Sequence, residues 1–255
     1  MKKIILLLAL VFCFFHSGNA QAYKSNIKDT TVSAKLLQFN FSYHAPLFDM
    51  SHRFGFSEFA GGSFQFKLGK NLLVGLDGGY LFGNRVKEDS ILNFIRDTAH
   101  QVIGNDGNFT QLLLYESGYQ FSLKAGKIFP VIKNWNPNSG LLVQFGAGFM
   151  QHKIIIRDPS NVVPQVHGDY AKGYDRLTNG IMLSQFVGLI HLDTHKIKNF
   201  YGGVELIEGF TKVRRDFDFV AMAPLTKNRF DMLAGIRIGW ILPFYGENEQ
   251  RFYSY

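Results

Sequence analysis

Beyond its first twenty residues the chain carries seven histidines, His44, His52, His100, His152, His167, His191 and His195, and metal or acid–base chemistry would have to start from them. A metal centre needs several convergent ligands. His191 and His195 have a spacing that suits a helix, but their surroundings read as a strand end and a turn, so the helical ligand-pair geometry has no basis here. His167 and Asp169 share one loop without a third partner. No metal and no cofactor is expected. Nucleophilic catalysis could draw on Ser184, His152 and Glu205, nominated by residue type alone, because nothing in the spacing brings them within the ~3 Å reach of a triad. The chain has no Walker phosphate loop, no Gly-x-Ser-x-Gly elbow and no His-Glu-x-x-His pair. The expectation is a protein that is not an enzyme.

Four charged residues, Asp77, Lys124, Glu205 and Arg237, stand out differently, each on the polar side of an alternating stretch. Strict alternation over ~4–8 residues marks a strand with two unlike faces. Leu37, Phe39, Phe41 and Tyr43 alternate with Gln38, Asn40, Ser42 and His44 before Pro46. A second run spans about Phe54 to Leu68, and a Gly69-Lys70-Asn71 turn leads to a third with Leu72, Val74, Leu76, Tyr80 and Phe82 opposite Asp77. Tyr119, Phe121, Leu123 and Ala125 oppose Lys124 in the fourth, and Leu141 to Phe149 form the fifth. The sixth, Leu177 to Asp193, is apolar on both faces. Phe200, Val204 and Leu206 oppose Glu205 in the seventh, and Met232 to Leu242 alternate with Gly235, Arg237 and Gly239 in the eighth.

Strands with ~9–11 usable residues are long enough to cross a bilayer at a tilt. Connections after strands two, four and six are short, and those after three, five and seven are long, the pattern of an outer-membrane barrel with its short turns in the periplasm. The predicted fold is all-β: a transmembrane antiparallel up-and-down β-barrel of eight strands over residues 36–245. Closure follows because an open sheet leaves unpaired backbone groups in hydrocarbon. Side chains just fill the interior of an eight-stranded barrel. Asp77, Lys124, Glu205 and Arg237 are therefore expected to face inward and pair, since a lone buried charge is costly. Tyr43, Tyr80, Phe82, Tyr119 and Trp240 suit the membrane interfaces. A soluble lipocalin-like barrel or β-sandwich would turn its greasy face inward instead.

Composition agrees. The 255 residues include 26 Phe and 26 Gly, with only 18% charged, which excludes a disordered chain, a collagen-like fibre and a disulfide scaffold. After the first twenty residues no apolar run approaches the ~18–20 residues of a spanning helix. Lys2-Lys3, the apolar stretch Ile4 to Phe15 and small residues around Ala20 and Ala22 read as a cleaved signal peptide, residues 1–20 or 1–22. The lone Cys13 lies inside its apolar centre, not at a lipid-attachment position. Losing Lys2 and Lys3 with the signal peptide lowers the formal charge from +7 to +5, too mild an excess to argue for nucleic acid. Residues 23–35 are then a periplasmic N-terminal segment and 246–255 a periplasmic aromatic tail.

The eight alternating strands, the ending Gly239-Trp240-Ile241-Leu242-Pro243-Phe244-Tyr245 and the final Phe252-Tyr253-Ser254-Tyr255 resemble small outer-membrane β-barrels of Bacteroidota. That group is similar in architecture to the OmpA/OmpX class and includes accessory barrels of the type IX secretion apparatus. The sequence departs from the pattern in its ten residues after Phe244-Tyr245, where such barrels commonly end on an aromatic residue. The resemblance implies an accessory or structural subunit of a larger envelope complex, in protein secretion or barrel assembly. Outer-membrane lipid and other outer-membrane or periplasmic proteins would be its partners. A stand-alone adhesin or envelope-stabilising barrel is the alternative, with a narrow pore or a lipid-modifying enzyme behind it. Phe252, Tyr253 and Tyr255 are candidate anchors for a partner. Ile91, Phe94 and Ile95 belong to a second candidate surface, Ser90 to Gly104, whose apolar spacing predicts a loop helix with Ser90 as its cap, either a plug on its own barrel or a partner site. Lys172 to Arg176 and Lys212 to Asp216 read as solvated rim. The resemblance also implies O-glycosylation at Asp-Ser/Thr triplets, here at Thr30, Ser90 and Thr98.

Overall fold

A computed structural model describes residues 30–193, 197–220, 222–223 and 228–245. The expected signal peptide, His195 and the tail with Phe252, Tyr253 and Tyr255 lie outside the described residues. Eight long strands make the wall: β1 (Ala34–Phe48), β2 (Ser57–Lys67), β3 (Leu72–Gly83), β4 (Leu113–Phe129), β5 (Gly140–Arg157), β6 (Thr178–His191), β7 (Phe200–Val213) and β8 (Asn228–Tyr245). Each pairs antiparallel with the next, and β8 returns to β1, so the sheet is a closed up-and-down barrel. A walk across paired residues from Leu37 through Phe64, Leu76, Leu123, Ala147, Leu183, Glu208 and Met232 returns to β1 at Leu47, ten residues along from its start. That stagger tilts the strands against the barrel axis, as closure requires.

One end carries the short turns 68–71, 130–139 and 192–199. The other carries four loops, L1 (49–56), L2 (84–112), L3 (158–177) and L4 (214–227). In the first turn Asn71 takes a left-handed φ of 59°, and its N–H donates to the Leu68 carbonyl at 2.9 Å, which reverses the chain within four residues.

The pleat sorts the side chains. Phe39, Phe41, Leu76, Phe121, Leu123, Val204, Ile236 and Ile238 face outward and are exposed, while Gln38, Asn40, Ser42, His44, Gln65, Asp77, Gln120, Lys124 and Arg237 are buried inside. An apolar outer wall around a polar interior inverts a soluble barrel and is the arrangement of a transmembrane one. Within the lumen the layers alternate. A floor of Leu36, Leu73, Ile128, Leu142, Phe186, Ile190 and Ile241 closes the short-turn end. A polar middle follows, then an upper apolar layer that includes Phe59, Leu81, Met150, Met182, Ile207 and Leu233. Below the floor, Asn138 Oδ1 accepts from the Val32 N–H and from Lys67 Nζ, both at 2.8 Å, which folds residues 30–33 across the opening.

Two features depart from the sequence expectations, and β6 does not. β2 starts at Ser57, not Phe54; Phe54 instead bridges to Val86 and is buried under the loops. β6 is apolar on both faces, as its sequence reads, because the barrel's apolar layers take Met182, Phe186 and Ile190 inward beside Thr178 and Ser184 while Ile181, Leu183, Val187 and Leu189 face out. The Ser90–Gly104 helix does not form. A single 3-10 turn, Asp89–Leu92, has Glu88, not Ser90, in the capping position, and a two-stranded hairpin, Val102–Ile103 with Phe109–Thr110, follows. Asp97 Oδ1 captures the N–H groups of Ala99 at 2.9 Å and Gln101 at 2.8 Å, a local turn that competes with helix. Burying Ile91 and Leu92 on the barrel outweighs an isolated short helix, whose nucleation is unfavourable.

Candidate functional site

β3, β4, β7 and β8 each place one charged residue on the inner face at a common depth. Lys124 Nζ is 3.3 Å from Asp77 Oδ2 and 3.1 Å from Glu205 Oε1; Arg237 Nη1 is 2.8 Å from Glu205 Oε1, and Arg237 Nη2 pairs with Asp77 Oδ1. The four thus form a ring of alternating sign across the lumen. Remaining valences are met by His44 Nε2 at 3.2 Å and the Ser42 hydroxyl at 3.4 Å on Glu205 Oε2, and by Asn40 Nδ2 at 3.3 Å on Asp77 Oδ1. Arg237 Nε donates to Tyr201 OH at 3.1 Å, and its guanidinium lies 5.4 Å from the Phe59 ring centroid. Gly239 makes room for this: a Cβ there would collide with the Tyr201 ring. All four charged residues are buried, so the ring survives desolvation only because each charge meets opposite partners.

Higher in the lumen, Asp231 Oδ2 accepts from Thr211 Oγ1 at 2.5 Å and sits 3.0 Å from His152 Nε2, while Arg229 Nε approaches Asp231 Oδ1 at 3.5 Å. The partners of His152 and Glu205 are therefore Asp231 in one tier and His44, Ser42, Lys124 and Arg237 in the other. Ser184, His152 and Glu205 do not assemble as a triad. His167 pairs with Asp158 at 3.2 Å and Asp169 with Lys172 at 2.6 Å, so the His167–Asp169 pairing does not form either. Among the described residues no cluster of three His, Cys, Asp or Glu side chains is arranged to hold a metal.

The loops close over the upper end through a second chain of charges that no local sequence pattern announces. Arg53 of L1 meets Glu88 of L2 (Nε to Oε2, 3.1 Å), and Glu88 meets Arg176 of L3 (Oε1 to Nε, 3.0 Å). Arg176 in turn pairs with Asp218 of L4. Arg53 Nη1 also donates to Thr178 Oγ1 at 2.9 Å. A parallel tie joins Arg215 of L4 to Asp175 of L3, at 2.5 and 2.8 Å. Asp175 and Arg176 are thus buried ties, not the solvated rim the sequence suggests. Burial, reinforced by the Arg229 guanidinium, pulls Arg53 down to about 10. The hydrogen bonds from Asp175 push Arg215 up.

L2 divides its apolar residues between two faces. Ile91 is buried and Ile95 packs against the upper apolar layer, whereas Phe94 is 67% exposed. In the hairpin Ile103 and Phe109 stand opposite each other on the outer face, exposed, while Val102 is buried. Gly104 to Asn108 close that hairpin, with Asp106 Oδ1 accepting from the Asn108 N–H at 3.1 Å, and the Asn105 N–H docks it on the Val162 carbonyl of L3 at 2.8 Å. Thr30, Ser90 and Thr98 are all exposed.

No protein-family profile matches the chain, and no curated protein is similar to it in sequence. Among solved structures it is similar to Neisserial surface protein A, at 11% identity and a TM-score of 0.39, covering 81% of this chain and 96% of that one. The outer membrane protein OprG from Pseudomonas aeruginosa is similar at 13% identity and a TM-score of 0.39, over 86% and 98%. Ail, the attachment invasion locus protein of Yersinia pestis, is similar at 9% identity and a TM-score of 0.36, over 82% and 99%.

Proposed function

We propose that the chain is a non-catalytic outer-membrane barrel that works through its surfaces, as a structural or accessory subunit of a larger envelope complex serving protein secretion or outer-membrane protein assembly. Its short turns and both termini face the periplasm, and L1 to L4 face outward. The observation that carries this reading is the filled lumen. Among the described residues, the Asp77–Lys124–Glu205–Arg237 ring and the apolar layers on either side fill the lumen, and the Arg53–Glu88–Arg176–Asp218 chain ties the loops over its mouth. The exposed L2 surface of Phe94, Ile103 and Phe109, and the aromatic tail, are then the surfaces for protein partners.

The test is native co-purification from mild-detergent extract with a tag in L4, away from both candidate surfaces. A large assembly of constant composition supports the accessory role and names the complex; a lone barrel ends it. The second reading, a stand-alone adhesin, is favoured by the same exposed L2 residues, which point away from the barrel. Deleting residues 90–104 would then abolish surface binding and leave secretion intact. Glycosylation at Thr30, Ser90 and Thr98 is part of the proposal, and an intact mass equal to the unmodified chain would refute it.

A further inference from the structure

The outer wall is not uniformly filled. Near the short-turn end a groove of about 670 Å³ opens outward across β6, β7, β8 and β1, lined by Phe39, Trp135, Leu189, Phe200, Gly202 and Trp240. Its volume is within the ~300–1,000 Å³ range of small-molecule sites. The register explains it. Leu189, Gly202 and Ile238 stand side by side on the outer face, and the middle position has no side chain, so the wall is one side chain thinner there. The next row toward the turns, His191, Phe200, Trp240 and Phe39, forms a raised aromatic lip. Trp135 packs on His191 with ring centroids 5.2 Å apart, His191 on Phe200 at 5.5 Å, and Phe39 on Trp240 at 6.0 Å. The Trp240 indole N–H donates to the Ile197 carbonyl at 3.1 Å, which ties the lip to the 192–199 turn.

Charge says what suits the opening. The two turns that frame the lip carry Lys133, two residues before Trp135, and Lys198, next to Ile197, and both are exposed. Against them the described residues of these turns hold one acid, Asp193. An apolar trough that ends at aromatic rings and then at lysines matches an amphiphile with a long apolar tail and an anionic head. We infer that the groove seats one glycerophospholipid of the leaflet around the short-turn end, its acyl chain lying over Gly202 and its phosphate facing Lys133 and Lys198. The inference rests on the membrane reading of the barrel and goes beyond the accessory role.

The test is native mass spectrometry of the full chain during stepwise exchange into a delipidating detergent. Gly202→Leu fills the groove. A Cβ there meets only Ile238 Cγ2 at 3.5 Å and Arg237 O at 3.7 Å, ordinary contacts, so the barrel folds, as a heat-modifiable gel band will verify. Ala147→Leu, on the outer face of β5, is the control for added bulk. The wild type and the control are expected to retain one phospholipid mass after bulk lipid is gone. Gly202→Leu loses it, and the Lys133→Glu, Lys198→Glu pair lowers retention roughly fivefold per lysine. A wild type stripped bare together with bulk lipid overturns the seat, as does Gly202→Leu retaining lipid equally or a co-purifying protein that occupies the groove instead. A chain soluble without detergent would sink the membrane reading itself, an outcome separate from a detergent-requiring barrel that holds no lipid.

Discussion

Lys124 Nζ lies 3.1 Å from Glu205 Oε1, and because β4 and β7 stand across the ring from each other, this bond spans the lumen instead of following the wall. Asp77 on β3 and Arg237 on β8 make the second crossing. Glu205 also joins both cations, so its removal leaves two buried positive charges to share Asp77 alone. Breaking a buried ion pair from one side costs ~3–5 kcal/mol. Glu205→Ala is expected to lower stability by about that amount in urea unfolding from micelles, with the midpoint shifted and the slope kept. A loss below about 1 kcal/mol would mean that the ring is solvated and the lumen wet.

The same ring bears on transport. A lumen crossed by these ion pairs and packed above and below with apolar side chains is expected to give ions no continuous water path. Purified barrel in planar bilayers should show no discrete conductance steps. Reproducible steps that Lys124→Ala or Arg237→Ala enlarges would reverse this and make the ring a selectivity constriction.

How much of this was legible in the sequence follows from range. A strand's two faces are written at a spacing of two residues, so Leu37 to His44, or Met232 to Leu242, declares its inner and outer sides without any other part of the chain. The inward charges Asp77, Lys124, Glu205 and Arg237 could be nominated for that reason, although which atoms meet depends on the ten-residue stagger, which no local pattern contains. The loop chain was invisible. Arg53, Glu88, Arg176 and Asp218 have no periodicity and come from four separate loops, so only closure of the barrel brings them together. In L2, apolar residues at helical spacing fit a turn and hairpin packed on a surface as well as a helix, so spacing alone does not decide between them. The aspartates that decide the matter, Asp97 and Asp106, act through backbone bonds that spacing does not reveal. The groove over Gly202 was hidden similarly, since a glycine in a strand reads as a bend until its neighbours in register are known.

Glu88 is the residue through which L1 and L3 meet, since one of its oxygens faces Arg53 and the other Arg176. Glu88→Gln keeps the size and removes the charge. The pairs are partly open to water, so the loss is set at ~1–2 kcal/mol of loop closure, about tenfold in the opened population. Limited proteolysis should cut within L2 and L3 about tenfold faster while the barrel fragment stays intact and heat-modifiable. Unchanged cutting would show that apolar packing of Ile91, Leu92 and Val163 holds the loops without the charges.

Asp158 offers a pH-dependent readout of L3. Burial acts to raise its carboxyl, but the Val163 N–H at 2.7 Å and the His167 ring at 3.2 Å outweigh it and hold the group below the ordinary aspartate value of 3.8. The carboxylate is lower in the folded loop than in the opened one. Its contribution is therefore complete above 3.8 and is lost as pH falls through the depressed folded value. Amide exchange at Val163, corrected for intrinsic rates, should show constant protection from neutral pH down to that point and a fall below it. Asp158→Asn should lack the carboxylate's contribution at every pH and flatten the profile. A wild-type profile that breaks well above 3.8, or a variant that keeps the same low-pH fall, would assign the loop's acid sensitivity to a different group.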